Sequence, residues 1–199
     1  LALDLWGHGD SPPPPKACSF ASMVDDIARL WDALGVARSY LVGLGFGGSL
    51  SLATAIAHPS RVAGVVAFCC RPRLPDDRRE FWRGRRNAAA EIGMAAMADQ
   101  TVDRWLSEDF KRRLPAVDLR LRTSMKRTSL AGYQACVDAF IEMDFSQRLS
   151  GLSCPVQLVA AEFDHGGGPI PDMQAMQREI PGAALTIIHG CGHVCAAEA

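Results

Sequence analysis

"YLVGLGFGGSLSLATAIAHPSRVAGVVAF", residues 40–68, decides the fold. An apolar run meets a glycine-rich turn, a stretch of small residues follows, and His58-Pro59 closes that stretch before a second apolar run at 62–68. This is a strand, a sharp turn, a helix and another strand. Continuously apolar strands joined by a helix build a parallel sheet covered on both faces. The turn itself reads Gly43-Leu44-Gly45-Phe46-Gly47. A strand-turn-helix of this shape presents a nucleophilic serine in the pattern Gly-x-Ser-x-Gly, and here glycine stands in the serine's place. Gly43, Gly45 and Gly48 also satisfy Gly-x-Gly-x-x-Gly. A dinucleotide site needs an acidic residue at the end of the next strand, and that strand ends in Phe68-Cys69-Cys70, so the glycines are not read as a cofactor loop.

Working outward, "LALDL" (1–5) alternates like a short strand, and "GHGDSPPPP" (7–15) reads as a rigid turn and loop. Met23, Val24, Ile27, Leu30, Trp31 and Leu34 recur at helical spacing before Gly35. "SYLVG" (39–43) is expected to be a buried strand. From Arg71 to about Asp144 the strand pattern vanishes, and segments near 79–98, 101–112 and 130–142 read as helices. Strands resume at 156–162 and 184–190, with a helix near 171–180 between them. The expected organisation is a core over 1–70, a helical insert over 71–148 and the rest of the core over 149–199. The insert is rich in arginine: Arg71, Arg73, Arg78, Arg79, Arg83, Arg85 and Arg86. These read as a solvated helical face, or as one or two cations meeting an anionic substrate. The first residues open inside a strand pattern and the last follow a histidine loop closely, which reads as a fragment truncated at both ends.

The chain has 199 residues, 48% of them apolar and a net charge of −1, which supports a real core and gives no electrostatic case for nucleic acid or a membrane surface. No run reaches membrane-spanning length and nothing resembles a signal peptide. The seven cysteines have no metal-like pairing, so reduced thiols in a cytoplasm are expected. Cys191 and Cys195 flank His193, but no second Cys/His cluster has zinc spacing. Neither a metal nor a cofactor is expected.

Three residues follow separate strands: Gly45, Asp164 and His193. Their order matches a nucleophile, an acid that fixes the histidine tautomer, and a base. Singly, Asp164 before "HGGGP" also reads as a turn residue, and His193 as a loop histidine. Ser49 and Ser51, inside the helix, and Cys69 and Cys70 are weaker nucleophile candidates; the two cysteines read as buried, inert thiols. His189, read as lying within the last strand, and His165 are weaker bases.

With these residues in view, the chain resembles the α/β-hydrolase superfamily, and within it the 3-oxoadipate enol-lactonases. "DLWGHGDS" (4–11) is similar to the family's turn after its fourth strand, with Trp6 where arginine is usual. Residues 42–68 are similar to its elbow, helix and next strand. "GMAAMADQTVDRWLSEDF" (93–110) and "AGYQACVDAFIEMDF" (131–145) are similar to its cap, and "PVQLVAAEFD" (155–164) and "GCGH" (190–193) to its acid and histidine loops. The resemblance implies a mostly parallel sheet with helices on both faces and a helical cap, without the family's first strands. It implies a small-molecule ester or lactone substrate and a nucleophile at position 45. It implies Asp164 and His193 as the other triad members, Phe46 as an oxyanion N–H donor, and Trp105 as a substrate contact. A protein with glycine at 45 is then an impaired hydrolase, a non-catalytic small-molecule-binding homologue, or a broken copy one base change from serine.

Overall fold

The computed structural model describes residues 1–14 and 18–199; Pro15, at the end of the expected rigid loop, lies outside the described residues. The chain divides into two compact units. One comprises Leu1–Phe20 with Leu74–Met143, and the other Ala21–Arg73 with Asp144–Ala199.

The second unit holds the sheet. After helix α1 (Phe20–Ala33) come β1 (Ser39–Leu44), α2 (Phe46–Ala57), β2 (Val62–Phe68), β3 (Val156–Ala161), and later β4 (Ala184–Ile188). The four strands run in the order β1-β2-β3-β4 and every pair is parallel. The register aligns Leu44 with Phe68, Phe68 with Val159, and Ala161 with Ile188. The carboxyl ends therefore finish along one edge, where the residues that follow each strand gather. Helix α2 packs on β1 and β2 and is buried from Gly48 to Ala55. Its polar side chains are satisfied inside: Ser51 Oγ donates to the Gly47 carbonyl at 2.8 Å and Thr54 Oγ1 to Leu50 at 2.7 Å. Where the chain leaves the unit and returns, Arg73 and Asp144 form an antiparallel bridge, and the Phe145 N–H donates to the Pro72 carbonyl at 3.1 Å.

On α1, Met23, Val24, Ile27 and Trp31 are buried, as the helical spacing predicts, whereas Leu34 lies past the helix end and is exposed. Strand β1 departs from expectation. Tyr40 and Val42 are 77% and 70% exposed, because β1 is the outer strand of this sheet and that face carries no covering layer. The inner strand β3, by contrast, is buried on both faces from Leu158 to Ala161.

The other unit is helical: α3 (Asp76–Trp105), α4 (Glu108–Arg113), α5 (Pro115–Lys126) and α6 (Leu130–Glu142). The expected helices at 79–98 and 101–112 are differently cut. One helix runs to Trp105 and is kinked at Gly93, whose φ of 77° takes it out of the helical region. Ser107 caps α4 by accepting from the Phe110 N–H, and Ser129 caps α6 by accepting from the Gly132 N–H. Leu74, Ala89, Met97, Tyr133, Val137 and Ile141 form the core of this unit. Residues 1–5 are not a strand: no neighbouring strand pairs with them among the described residues, and Leu1 and Leu3 are exposed. Alternation proposes a strand, but a ladder partner is needed to make one. No helix among the described residues is long and apolar enough to cross a membrane.

Candidate active site

The site lies wholly within the sheet unit. Gly45 follows β1 directly, with φ 56° and ψ −119°. A side chain at such a φ is strained, and glycine takes it freely. The turn is fixed from both sides, since the Gly45 N–H donates to the Phe68 carbonyl at 2.9 Å and its carbonyl accepts from the Ser49 N–H at 3.1 Å. Phe46 is the first residue of α2, so its N–H sits at the positive end of the helix.

Asp164 and His193 come together. His193 Nδ1 is 3.1 Å from Asp164 Oδ2, and the residues are 9% and 3% exposed. The loop after β3 wraps the carboxylate: Gly166 and Gly167 donate their N–H groups to Oδ1 at 3.1 and 2.8 Å, and Gly168 donates to Oδ2 at 2.8 Å. Burial opposes the charge on Asp164, but His193 and the N–H groups of Gly168 and Gly167 outweigh it and hold the carboxyl well below the usual carboxylate range. An ionised Asp164 keeps the proton of a neutral His193 on Nδ1, which leaves Nε2 as the basic atom. The close approach requires glycine at 167, where a Cβ would lie 2.2 Å from His193 Cε1 and 2.8 Å from Asp164 Oδ2.

Nε2 faces Gly45. A Cβ built there would meet His193 Nε2 at 2.9 Å and Cε1 at 3.2 Å, the contacts within 4 Å among the described residues apart from its own chain neighbours. A Cβ at position 45 would crowd the basic nitrogen, so a side chain there makes the His193 ring shift slightly while staying beside it. The histidine loop is itself anchored, with Phe163 N–H donating to the Cys191 carbonyl at 3.0 Å and Gly192 N–H to the buried Glu198 carboxylate at 3.0 Å.

The other candidates separate. Ser49 is fully buried and donates to the Arg71 carbonyl at 2.7 Å, so it has no path to a substrate. Cys69 and Cys70 are buried as expected. The hydrogen bond to Cys195, then burial, pushes the Cys69 thiol up, and burial pushes Cys70 up to about 12. His189 lies just beyond β4 rather than in it, exposed beside Glu162 at 3.3 Å. His165 is exposed. Trp105 ends α3, half-buried in the helical unit.

For Arg71 the sequence leaves two readings, a solvated face or a cation meeting an anionic substrate. Arg71 is instead 5% exposed; its Nε donates to the Gly167 carbonyl at 2.6 Å and its Nη2 reaches Asp172 Oδ2 at 3.2 Å. It therefore holds the same loop whose amides hold Asp164. The run of three glycines, 166–168, was the available signal: three successive residues without side chains suit a loop whose backbone must reach a buried anion.

Comparison with known proteins agrees with this geometry. A family model of the alpha/beta hydrolase fold matches residues 1–198. "3-Oxoadipate enol-lactonase 2" of Acinetobacter baylyi is 25% identical over 164 residues, which cover 82% of this chain and 61% of that protein. A candidate carbamate hydrolase, RutD, of a Caulobacter species is 29% identical over 87% of this chain and 65% of its own length. The chain thus spans less than two thirds of these curated relatives. The crystal structure of an enol-lactonase from Burkholderia xenovorans superposes with a TM-score of 0.92 at 27% identity, covering 98% of this chain and 74% of that one. Strand order, elbow and family match agree: the chain belongs to the alpha/beta hydrolase fold family.

Proposed function

We propose that this chain is a carboxylic ester or lactone hydrolase of the 3-oxoadipate enol-lactonase type, working on a small molecule and impaired because position 45 carries no nucleophile. The observation that carries the reading is that His193 Nε2 lies directly against position 45, so close that a Cβ built there, at 2.9 Å, would make the ring give slightly. An acid-base pair is assembled and aimed at a side chain that glycine does not have. A buried carboxylate satisfied by three amides and an imidazole is costly to build for packing alone.

In this mechanism Nε2 of His193 is the general base. With serine at 45 it would take the hydroxyl proton as the oxygen attacks the carbonyl, and later return it to the leaving oxygen. Asp164 orients the ring and stabilises the imidazolium. The Phe46 N–H faces the developing oxyanion. With glycine at 45, Nε2 can only activate a water, and losing the serine of such a triad costs on the order of 10⁶ in turnover. Residues 71–148 act as the cap, with Trp105 as a substrate contact. A reducing cytoplasm suits the seven free cysteines. The enol-lactonase relatives support a lactone, and the carbamate hydrolase relative makes a carbamate the second substrate to test.

The test is hydrolysis of 3-oxoadipate enol-lactone and of a simple carbamate by the protein and its Gly45→Ser variant. Serine is expected to raise lactone turnover by several orders of magnitude. Equal activity of the two proteins would remove position 45 from the chemistry. Two folded but inert proteins would replace the hydrolase reading with a small-molecule-binding role.

A further inference from the structure

Cys69, the residue after β2, is the non-glycine residue with positive φ among the described residues, at 46°. Holding a side chain there costs on the order of 1–3 kcal/mol, and such strain concentrates at functional positions. The conformation places the thiol beside the acid-base pair. One donor atom each from Cys69, Asp164 and His193 lies within 4.8 Å of the other two, and all three residues are buried.

We propose that Cys69, Asp164 and His193 form a binding site for one divalent cation of the zinc type. Thiolate, imidazole and carboxylate together are a zinc donor set, whereas magnesium and calcium take oxygen ligands. Charge favours the same ion. A thiolate and a carboxylate cancel a divalent charge, so the loaded site is neutral, as a buried site must nearly be. The spacing is close to what is needed. A tetrahedral ion with bonds of about 2.0–2.3 Å holds its ligand atoms about 3.4–3.8 Å apart. His193 Nδ1 and Asp164 Oδ2 stand at 3.1 Å, so a small outward shift seats the ion between them. Cys69 then closes from β2 by moving its sulfur about an ångström or less.

Binding releases one proton to solvent, from the Cys69 thiol; the Nδ1 proton of the neutral imidazole moves to Nε2, and no electrons move. The amides of Gly166 and Gly167 occupy Oδ1, and Gly168 and His193 share Oδ2, so the lone pair that His193 now takes becomes the metal's once the Nδ1 proton has moved. The fourth position is left to water or a small anion. Cys195 Sγ lies 3.8 Å from Cys69 Sγ but is not within reach of all three donors, so it is a neighbour rather than a ligand.

This site does not rest on the hydrolase reading, because its readout is metal and not turnover. The first measurement is titration of the reduced full chain with Co²⁺, followed by competition with Zn²⁺. A thiolate-to-cobalt charge-transfer band saturating at one ion per chain is expected. Cys69→Ser should abolish the band and weaken binding by 100-fold or more, and His193→Gln, at the rim of the cluster, should weaken it by at least tenfold. Cys195→Ser should leave the band and change affinity less than threefold. Far-ultraviolet circular dichroism of each variant separates ligand loss from misfolding. A wild-type protein without the band, a band that survives Cys69→Ser in a folded protein, or a band that depends on Cys195 would each overturn the site.

Discussion

The two units of this chain satisfy their charged groups in opposite ways. Around the candidate site of the sheet unit, buried charges are held largely by backbone: Asp164 by three amides and His193, and Arg71 by the Gly167 carbonyl with Asp172 beside it. In the helical unit the ion pairs run between side chains nearer the surface. Arg122 gathers Asp99, Asp103 and Asp118, and Lys126 joins Asp99 at 3.0 Å. Hydrogen bonds to Asp118 and Asp103 hold Arg122 firmly charged, and those to Lys126 and Arg122 hold Asp99 below the usual carboxylate range. Aromatic faces take other cations: Arg78, Arg85 and Arg104 lie 4.2, 5.9 and 5.3 Å from the Phe81 ring. Exposed pairs contribute little each and are screened by salt, whereas buried ones are costly to break and fix a geometry. The buried contacts of the sheet unit fix atom positions at the site, and the ion pairs of the helical unit tie α5 to α3.

The largest expected effect probes that positioning. If Gly45→Ser restores turnover, adding His193→Gln to it should remove nearly the whole gain, a loss on the order of 10⁴ or more in kcat. The Gly45→Ser single variant should unfold more easily by roughly 1–3 kcal/mol in a urea titration, since position 45 then carries a side chain at positive φ against the His193 ring. A gain of activity with no loss of stability would mean the elbow had relaxed.

Next is a matched pair of arginines. Arg71→Met should cost about 2–4 kcal/mol, because it strips a buried carbonyl and Asp172 of their partner. Arg122→Met, in the half-buried network that joins α3 and α5, should cost less, about 1–2 kcal/mol. Equal losses would erase the contrast between the units.

A smaller effect follows from Asp164. Its carboxyl titrates lower in the fold than in the unfolded chain, where the value is about 3.9. Its contribution is therefore fully present above that value and is lost as pH falls below it. Asp164→Asn should destabilise the protein by about 1–3 kcal/mol at pH 7, and the gap to the parent should shrink as pH falls below about 4, read by thermal melts across pH. The smallest effect is salt. About 1 M NaCl should raise amide exchange in α5 by a few-fold and leave β2 and β3 unchanged, measured by mass spectrometry.

The sequence by itself determined the elements whose signals are local. The strand–glycine–helix of 40–57 and the apolar runs at 62–68, 156–162 and 184–190 each carry their own period. So does the face of α6. The chain order of Gly45, Asp164 and His193 was likewise legible, because each follows a strand and parallel strands finish at one edge. Tertiary structure decided what depends on partners distant in the chain. Residues 1–5 have the alternation of a strand but gain no ladder partner. Tyr40 and Val42 are apolar yet uncovered, and Arg71 is charged yet buried, because burial is a property of neighbours and not of residue type. Cys69 reads in sequence as the end of a strand. Only the packing of β2 against β3, with two separate loops closing over that edge, sets its sulfur beside Asp164 and His193. Periodicity encodes which face of an element is apolar; the meeting of a thiol, a carboxylate and an imidazole from three loops is fixed by long-range packing.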